Sequence, residues 1–210
     1  MPLSTLVYIL IAFLTGLALG RFRASRYQNR GEALLSEVVG ASFRPPDYHL
    51  LNHVTLPQKD GSTQVDHILI SRFGVFVIET KDYKGWILAD PKRANWTQVI
   101  FKSKFRFQNP IFQNLRHVRA VQDLLDFLPP EAIRSVVVFT GDAEFKTDVP
   151  PGVFNLPGFV HHIRQNTAEV MSLNRMQFCV GRLETARLAI SGKTDIEHVE
   201  SLERRHGRAN

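Results

Sequence analysis

The spacing of apolar and polar positions divides the chain into discrete elements. Leu3 to Gly20 carries no charged residue and has no polar face; a membrane-spanning helix needs about 20 such residues. Arg30 to Phe43 reads as a helix ended by Arg44-Pro45-Pro46-Asp47. Tyr48 to Leu56 reads as a strand closed by Pro57 and a polar turn. Gln64–Ile70 and Val75–Lys81 follow as two more strands, joined by Ser71-Arg72-Phe73-Gly74. Asp82 to Phe107 is an inserted β-excursion, with Trp86–Leu88 and Trp96–Phe107 as short strands. Pro110 opens a helix to about Leu128, with Asn109 as its N-cap. Arg134 to Thr140 is a β-branched run without alternation, as expected of a strand buried on both faces. Val153–Asn155 reads as a strand, and Phe159–Gln165 and Met176–Ile190 as helices. Glu197–Asn210 is a charged tail. The core order is helix, three strands, helix, strand, which predicts an α/β domain.

Charge orients this arrangement. Arg21, Arg23, Arg26 and Arg30 follow the apolar span at once, whereas Met1 to Thr5 has no basic side chain. The positive-inside rule puts the amino end outside and the rest in the cytoplasm, as a single-pass protein of the inner membrane. Ala18-Leu19-Gly20 has the small-x-small look of a signal cleavage site, but the basic n-region is missing, which favours an uncleaved anchor. The chain then divides into an anchor (1–21), a basic linker (22–29), an α/β domain (30–140) and a helical extension (141–210). Cys179 is the only cysteine, which excludes an intramolecular disulfide and a Cys-rich metal site. The net charge of +6 suits an acidic partner, although the juxtamembrane arginines supply part of it.

The candidate chemistry lies in the 64–81 hairpin. If Ile70 pairs with Val75, the register pairs Asp66 with Glu79, with Cβ atoms about 4.5–5.5 Å apart. Two acids so placed repel unless a cation lies between them. Lys81, two residues beyond Glu79, shares its face. The bland reading of Glu79-Thr80-Lys81 is a solvated strand end with an i,i+2 ion pair. Asp66 at the matching register and the apolar run Val75–Ile78 leading to the acid favour function. On the first helix Glu32 lies about 20° from Val39, at the border of the stripe formed by Leu35, Val38 and Val39. Two readings of Glu32 stay open: a functional acid, or a first-turn charge favouring the helix dipole.

From Pro91 to Arg119 there is no acid but there are seven Lys or Arg residues. Lys102, Lys104 and Arg106 alternate with Phe101, Ser103, Phe105 and Phe107, giving one basic and one mainly aromatic face. This is a phosphate-contacting rim or an edge strand guarded by lysines. On the long helix Ile111, Leu115, Val118, Val121, Leu125 and Leu128 form the apolar arc. Gln113 and His117 sit at one border of it, placed to orient a water or contact a phosphate. His117 reads as a packing residue rather than a catalytic one. Ser191-Gly192-Lys193-Thr194 lacks the first glycine of a phosphate-binding loop, and His161-His162 lack the further ligands of a zinc site.

Glu32, Gln64-Val65-Asp66-His67, Val77-Ile78-Glu79-Thr80-Lys81, Gly85 and Asn109-Pro110 to Gln113-Asn114 together resemble the nuclease-related domain (NERD) family of the PD-(D/E)xK, restriction-endonuclease-like superfamily. The resemblance covers roughly Arg30 to Thr140, with Val65 where the superfamily name has proline. It implies a mixed central sheet flanked by helices (αβββαβ core) behind a transmembrane helix, and a role in DNA processing. It further implies that Asp66, Glu79 and the Thr80 carbonyl hold Mg²⁺ (or Mn²⁺), that Glu32 completes or supports the shell, that Lys81 positions the attacking water or stabilises the transition state, and that the reaction is phosphodiester hydrolysis. DNA would then contact Lys102, Lys104, Arg106 and Gln113. The rival expectation is a membrane-tethered binding or scaffold module that keeps the fold without cutting.

Overall fold

The computed structural model describes residues 30–58 and 61–188. The span expected over Leu3–Gly20 and the tail from Glu197 lie outside them. Among the described residues no helix is long and apolar enough to cross a membrane.

The elements are α1 (Arg30–Ser42), β1 (Tyr48–Gln58), β2 (Gly61–Ser71), β3 (Gly74–Lys81), β4 (Gly85–Leu88), β5 (Asn95–Ile100), β6 (Ser103–Gln108) and α2 (Pro110–Leu124). A 3-10 turn over Pro130–Ala132 leads to β7 (Ile133–Phe139), β8 (Ala143–Phe145), β9 (Val153–Asn155), α3 (Leu156–Gln165) and α4 (Leu173–Ala186). Among the described residues this is a mixed α/β architecture with two mixed sheets and four helices. The larger sheet has the order β1-β2-β3-β7-β9 and the smaller β6-β5-β4-β8. The expected sequence of helix, three strands, helix, strand is present. β8, which no sequence pattern predicts, pairs in parallel with β4.

β3 and β7 lie in the middle of the larger sheet, buried on both faces. Val75 and Val77 enter a core with Val118, Val121, Met176 and Leu183, which comes from α2 and α4. Phe76 and Ile78 point the other way, against Leu35 and Val39 of α1 and Phe159 and Ile163 of α3. Fully burying each such side chain contributes roughly 1.5–3 kcal/mol, so the strand that carries Glu79 and Lys81 is anchored from both sides. Asn114 of α2 ties the two central strands together: its amide donates to the Val77 and Val136 carbonyls at 2.8 and 3.0 Å and to Ser135 Oγ at 2.9 Å.

The β2–β3 hairpin is tighter than its four-residue connector suggests, because the ladder closes at Ser71 opposite Gly74. Gly74 sits at φ +145°, where a side chain would be strained. Pro57 does not end β1, which is an edge strand where the missing N–H costs nothing. Two further expectations need correction. Leu115 is 40% exposed because α2 turns Asn114 and His117 inward instead. α2 also stops at Leu124, four residues before Leu128, although Leu125 and Leu128 remain buried below it.

Candidate active site

The β2–β3 register is the one that the hairpin spacing predicts. Ile70 faces Val75 and the ladder runs to His67 opposite Ile78, one step before Asp66 and Glu79. Beyond that step Asp66 bonds across the strands: its Oδ2 accepts the Thr80 N–H at 2.8 Å. β1 explains why the ladder opens there. Asn52 faces His67 and Val54 faces Val65, so His53 stands opposite Asp66 at the single step left unpaired. His53 has φ +50°, a left-handed conformation that non-glycine residues seldom adopt. Leu51 and Val54, and likewise Ile68 and Val65, enter the same core although each pair is three residues apart. Both strands therefore switch faces at this step, beside the position where register sets Asp66 opposite Glu79.

Glu79 is 2% exposed. Its Oε1 accepts from Lys81 Nζ at 2.6 Å, and the same ammonium donates to Gln113 Oε1 at 3.1 Å. Glu79 Oε2 lies 3.3 Å from His117 Nε2, too misaligned for a hydrogen bond, so both are buried polar atoms without a hydrogen-bond partner. His117 Nδ1 is fixed by Thr63 Oγ1 at 2.8 Å. Lys81 and Glu79 share a face as strand alternation requires. Gln113 and His117, at the border of α2, both reach the acid or its lysine.

Glu32 is buried, and its Oε2 stands 3.3 Å from His53 Nδ1. Asn52 Oδ1 accepts from His67 Nδ1 at 2.8 Å and from Ser36 Oγ at 3.4 Å. Burial pushes His67 down to about 3, helped by His53, so its ring is neutral. These residues form a layer beneath Asp66 on the α1 side.

The charges divide unequally. Burial and then the Glu79 charge raise the Asp66 carboxyl well above the usual carboxylate range, and Glu32 adds to this. Burial acts in the same direction on Glu79, but His117 and Lys81 outweigh it and hold the carboxyl below its ordinary value. Burial works against the Lys81 cation, yet the attraction of Glu79 keeps its pKa above the ordinary lysine value. Two adjacent carboxylates pushed apart in this way, beside a permanent cation, are characteristic of catalytic centres.

A groove of about 410 Å³ opens beyond the carboxyl ends of the parallel strands β3 and β7, lined among others by Arg30, Leu34, Tyr83, Lys84, Gln98 and Thr140. Ligands of open α/β sheets bind at such strand ends. Gly85 makes the turn out of this region possible: at φ +79° a Cβ would fall 2.5 Å from the Val99 carbonyl oxygen.

The basic segment differs from its expected form. Phe101 and Lys102 form the turn between β5 and β6, with Phe101 at φ +53°. Only Lys104 and Arg106 therefore lie on the strand, at the sheet's edge. Phe107 packs against Tyr83 and Trp96, at ring separations of 4.8 and 6.2 Å, whereas Phe105 is half exposed.

Thr63, His53 and Asn52 carry no functional signal in the sequence, and His117, which reads as a packing residue, instead stands against the acid. His117 had a visible signal, its i+4 spacing from Gln113. The positive φ of His53 has no sequence signal.

Among the described residues no three His, Cys, Asp or Glu side chains converge into a ready-made metal cage. No solved structure matches the chain. An uncharacterized protein of Bacillus anthracis is 44% identical over 97 residues, which cover 46% of this chain and 45% of the relative. The matched segment is thus less than half of that relative's length. The family model described as the nuclease-related domain matches residues 28–140, the stretch that holds Glu32, Asp66, Glu79, Lys81, Gln113 and His117. On that match, the chain belongs to the nuclease-related domain (NERD) family.

Proposed function

We propose that this chain is a divalent-metal-dependent nuclease with a restriction-endonuclease-like core, hydrolysing phosphodiester bonds in DNA. In this reading the domain is held at the cytoplasmic face of the inner membrane by the Leu3–Gly20 span. One observation carries the proposal: the half-buried Asp66 of β2 and the buried Glu79 of β3 meet where their ladder opens, with Lys81 held as a cation on the second acid.

The residues present fit a hard cation. Glu79 Oε2 is a buried carboxylate oxygen that makes no well-aligned hydrogen bond, its nearest polar neighbour being His117 Nε2 at 3.3 Å, and Asp66 is an acid whose charge is disfavoured where it stands. Asp66, Glu79 and the Thr80 carbonyl would hold Mg²⁺ or Mn²⁺. Two carboxylates suffice, because Mg²⁺ usually keeps several waters and dispenses with a full protein cage. When bound, the ion neutralises charge at the phosphate and lowers the pKa of the attacking water. Lys81 donates to that water or to a phosphate oxygen on which charge develops. Gln113 fixes the Lys81 ammonium, and His117 holds the far side of Glu79. Glu32, set by His53, supports Asp66 from below. Lys102, Lys104 and Arg106 bind phosphates of the DNA backbone.

The purified chain should cleave DNA only with a divalent ion present and stop on chelation. Neutralising Lys102, Lys104 and Arg106 together should weaken DNA binding across unrelated sequences. It should also flatten the log–log salt dependence for each phosphate that the protein no longer neutralises, by about 0.9 on duplex DNA and about 0.7 on single strands. Unchanged affinity with increased light scattering would instead identify these residues as edge guards. DNA binding without cleavage in any divalent ion would leave the scaffold reading.

A further inference from the structure

The smaller sheet buries one face and displays the other. Its inner face packs Ile87, Trp96, Phe107 and Phe145 against Val137 and Phe139. Register places a different set on the outer face. Trp86 pairs with Val99 and Val99 with Lys104; Leu88 pairs with Thr97 and Thr97 with Arg106. Directly paired residues share a face, so Trp86, Leu88, Lys104 and Arg106 lie on one surface. Trp86 is 50% exposed and Leu88 37% exposed. Lys146, just past β8, holds its ammonium 4.8 Å from the centre of the Trp86 ring. Glu144, beside Trp86 in register, is the acid of this face and is already paired with Lys146. At the tip of the β5–β6 hairpin stand Lys102 and Phe101, the latter 97% exposed.

An exposed indole on a sheet face, flanked by cations, is poorly suited to duplex DNA, whose bases are stacked away. It suits unpaired bases, which stack on aromatic rings while lysines and arginines follow the backbone. We infer that the outer face of the smaller sheet binds single-stranded nucleic acid, with a base stacked on Trp86 and its flanking phosphates on Lys104, Arg106 and Lys146. The incoming base takes the place of the Lys146 ammonium over the ring, and that ammonium turns to a phosphate. Only three residues separate Lys81 from the start of β4, so a strand on this face is led toward the groove. Glu144 and Lys146 lie beyond the segment matched by the family model. The face is therefore completed by residues outside that segment.

The inference names the substrate form for the nuclease reading and in that sense rests on it, but binding can be tested without cleavage. The full chain in mild detergent, with EDTA, is titrated with oligo(dT) and with a dA·dT duplex of equal length. Trp86 and the buried Trp96 are the two tryptophans, so quenching by oligo(dT) that Trp86→Phe removes reports on position 86. Oligo(dT) should bind at least about 10-fold more tightly than the duplex. Fluorescence anisotropy of a labelled oligonucleotide should show Trp86→Ala losing about 5- to 150-fold in affinity, the range of one stacked base, with Trp86→Phe retaining most of it. Trp96 emission confirms that each variant is folded. Equal affinity for duplex and single strand, or Trp86→Ala binding like the wild type, would overturn the inference. So would self-association of the free chain that Trp86→Ala abolishes, which would assign the face to a second copy. Failure of the nuclease reading appears separately, as single-strand binding without divalent-dependent cleavage.

Discussion

Asp66→Asn and Glu79→Gln each abolish divalent-dependent cleavage, yet they move the stability of the metal-free domain in opposite directions. Loss of either carboxylate removes part of the metal's oxygen set. Several kcal/mol of transition-state stabilisation go with it, a fall of at least about 10³-fold in rate. The stability effects follow from the two environments. Burial and the Glu79 charge raise the Asp66 pKa above its unfolded value. Its contribution to stability is therefore fully present below the unfolded pKa and is lost as pH rises through the folded one. At neutral pH Asp66 costs stability, and Asn, which can still accept from the Thr80 N–H, relieves that cost. Thermal unfolding without metal should shift upward by a few degrees, at about 2–4 °C per kcal/mol for a chain of this size. Glu79 behaves in the opposite sense: its pKa is depressed, so it stabilises the fold at neutral pH and ceases to do so as pH falls through its folded pKa. Glu79→Gln leaves Lys81, whose side chain is 15% exposed, without its anion. The cost is on the order of 3 kcal/mol. Mg²⁺ at 100 times its Kd should stabilise the wild type by about 2.7 kcal/mol and neither variant. Wild-type rates in both variants would sink the assignment.

Lys81→Met separates catalysis from structure at the same centre. Removing a positioned cation that meets developing charge costs about 10²–10³-fold in kcat, with a smaller change in KM. The variant also strands the Glu79 carboxylate, 2% exposed, with the His117 ring at 3.3 Å as its nearest remaining polar neighbour. Breaking a buried pair in this way costs about 3–5 kcal/mol. A divalent ion beside Glu79 supplies the missing charge, so Mg²⁺ should raise the variant's Tm by more than it raises that of the wild type. If Lys81 were only one half of a structural ion pair, the stability loss would remain whatever the metal concentration.

Much of this arrangement is legible in the sequence because it depends on short-range rules. Val75–Ile78 is apolar throughout and becomes a central strand buried on both faces. The spacing of Ile70 and Val75 sets a register that leads directly to Asp66 and Glu79. Asn109-Pro110 opens α2 with the expected cap, the Asn109 side chain accepting from the Ile111 N–H at 2.9 Å. Elements that depend on distant partners are not legible. The three-residue strand β8 exists because β4 offers it an edge, and its own composition does not require it. The face switch at His53 and Asp66 breaks the two-residue period on which strand reading rests, and nothing local marks it. Leu115 reads as core by helical period, but the site demands that Asn114 and His117 turn inward, and three hydrogen bonds from the Asn114 amide to the strands hold that rotation. Polar residues drawn inward by a buried acid are thus the ones that hydrophobic periodicity assigns to the surface.

If Asp66 of β2 and Glu79 of β3 share one cation, a divalent ion should bind between them. Anomalous diffraction from crystals of the domain soaked in Mn²⁺ tests it most directly. A single strong peak is expected with Asp66 and Glu79 oxygens as ligands, at about 2.0–2.2 Å, close to the distances of Mg²⁺ sites. Crystals saturated with Mn²⁺ that show no peak there, with Lys81 still closed on Glu79, would contradict the account.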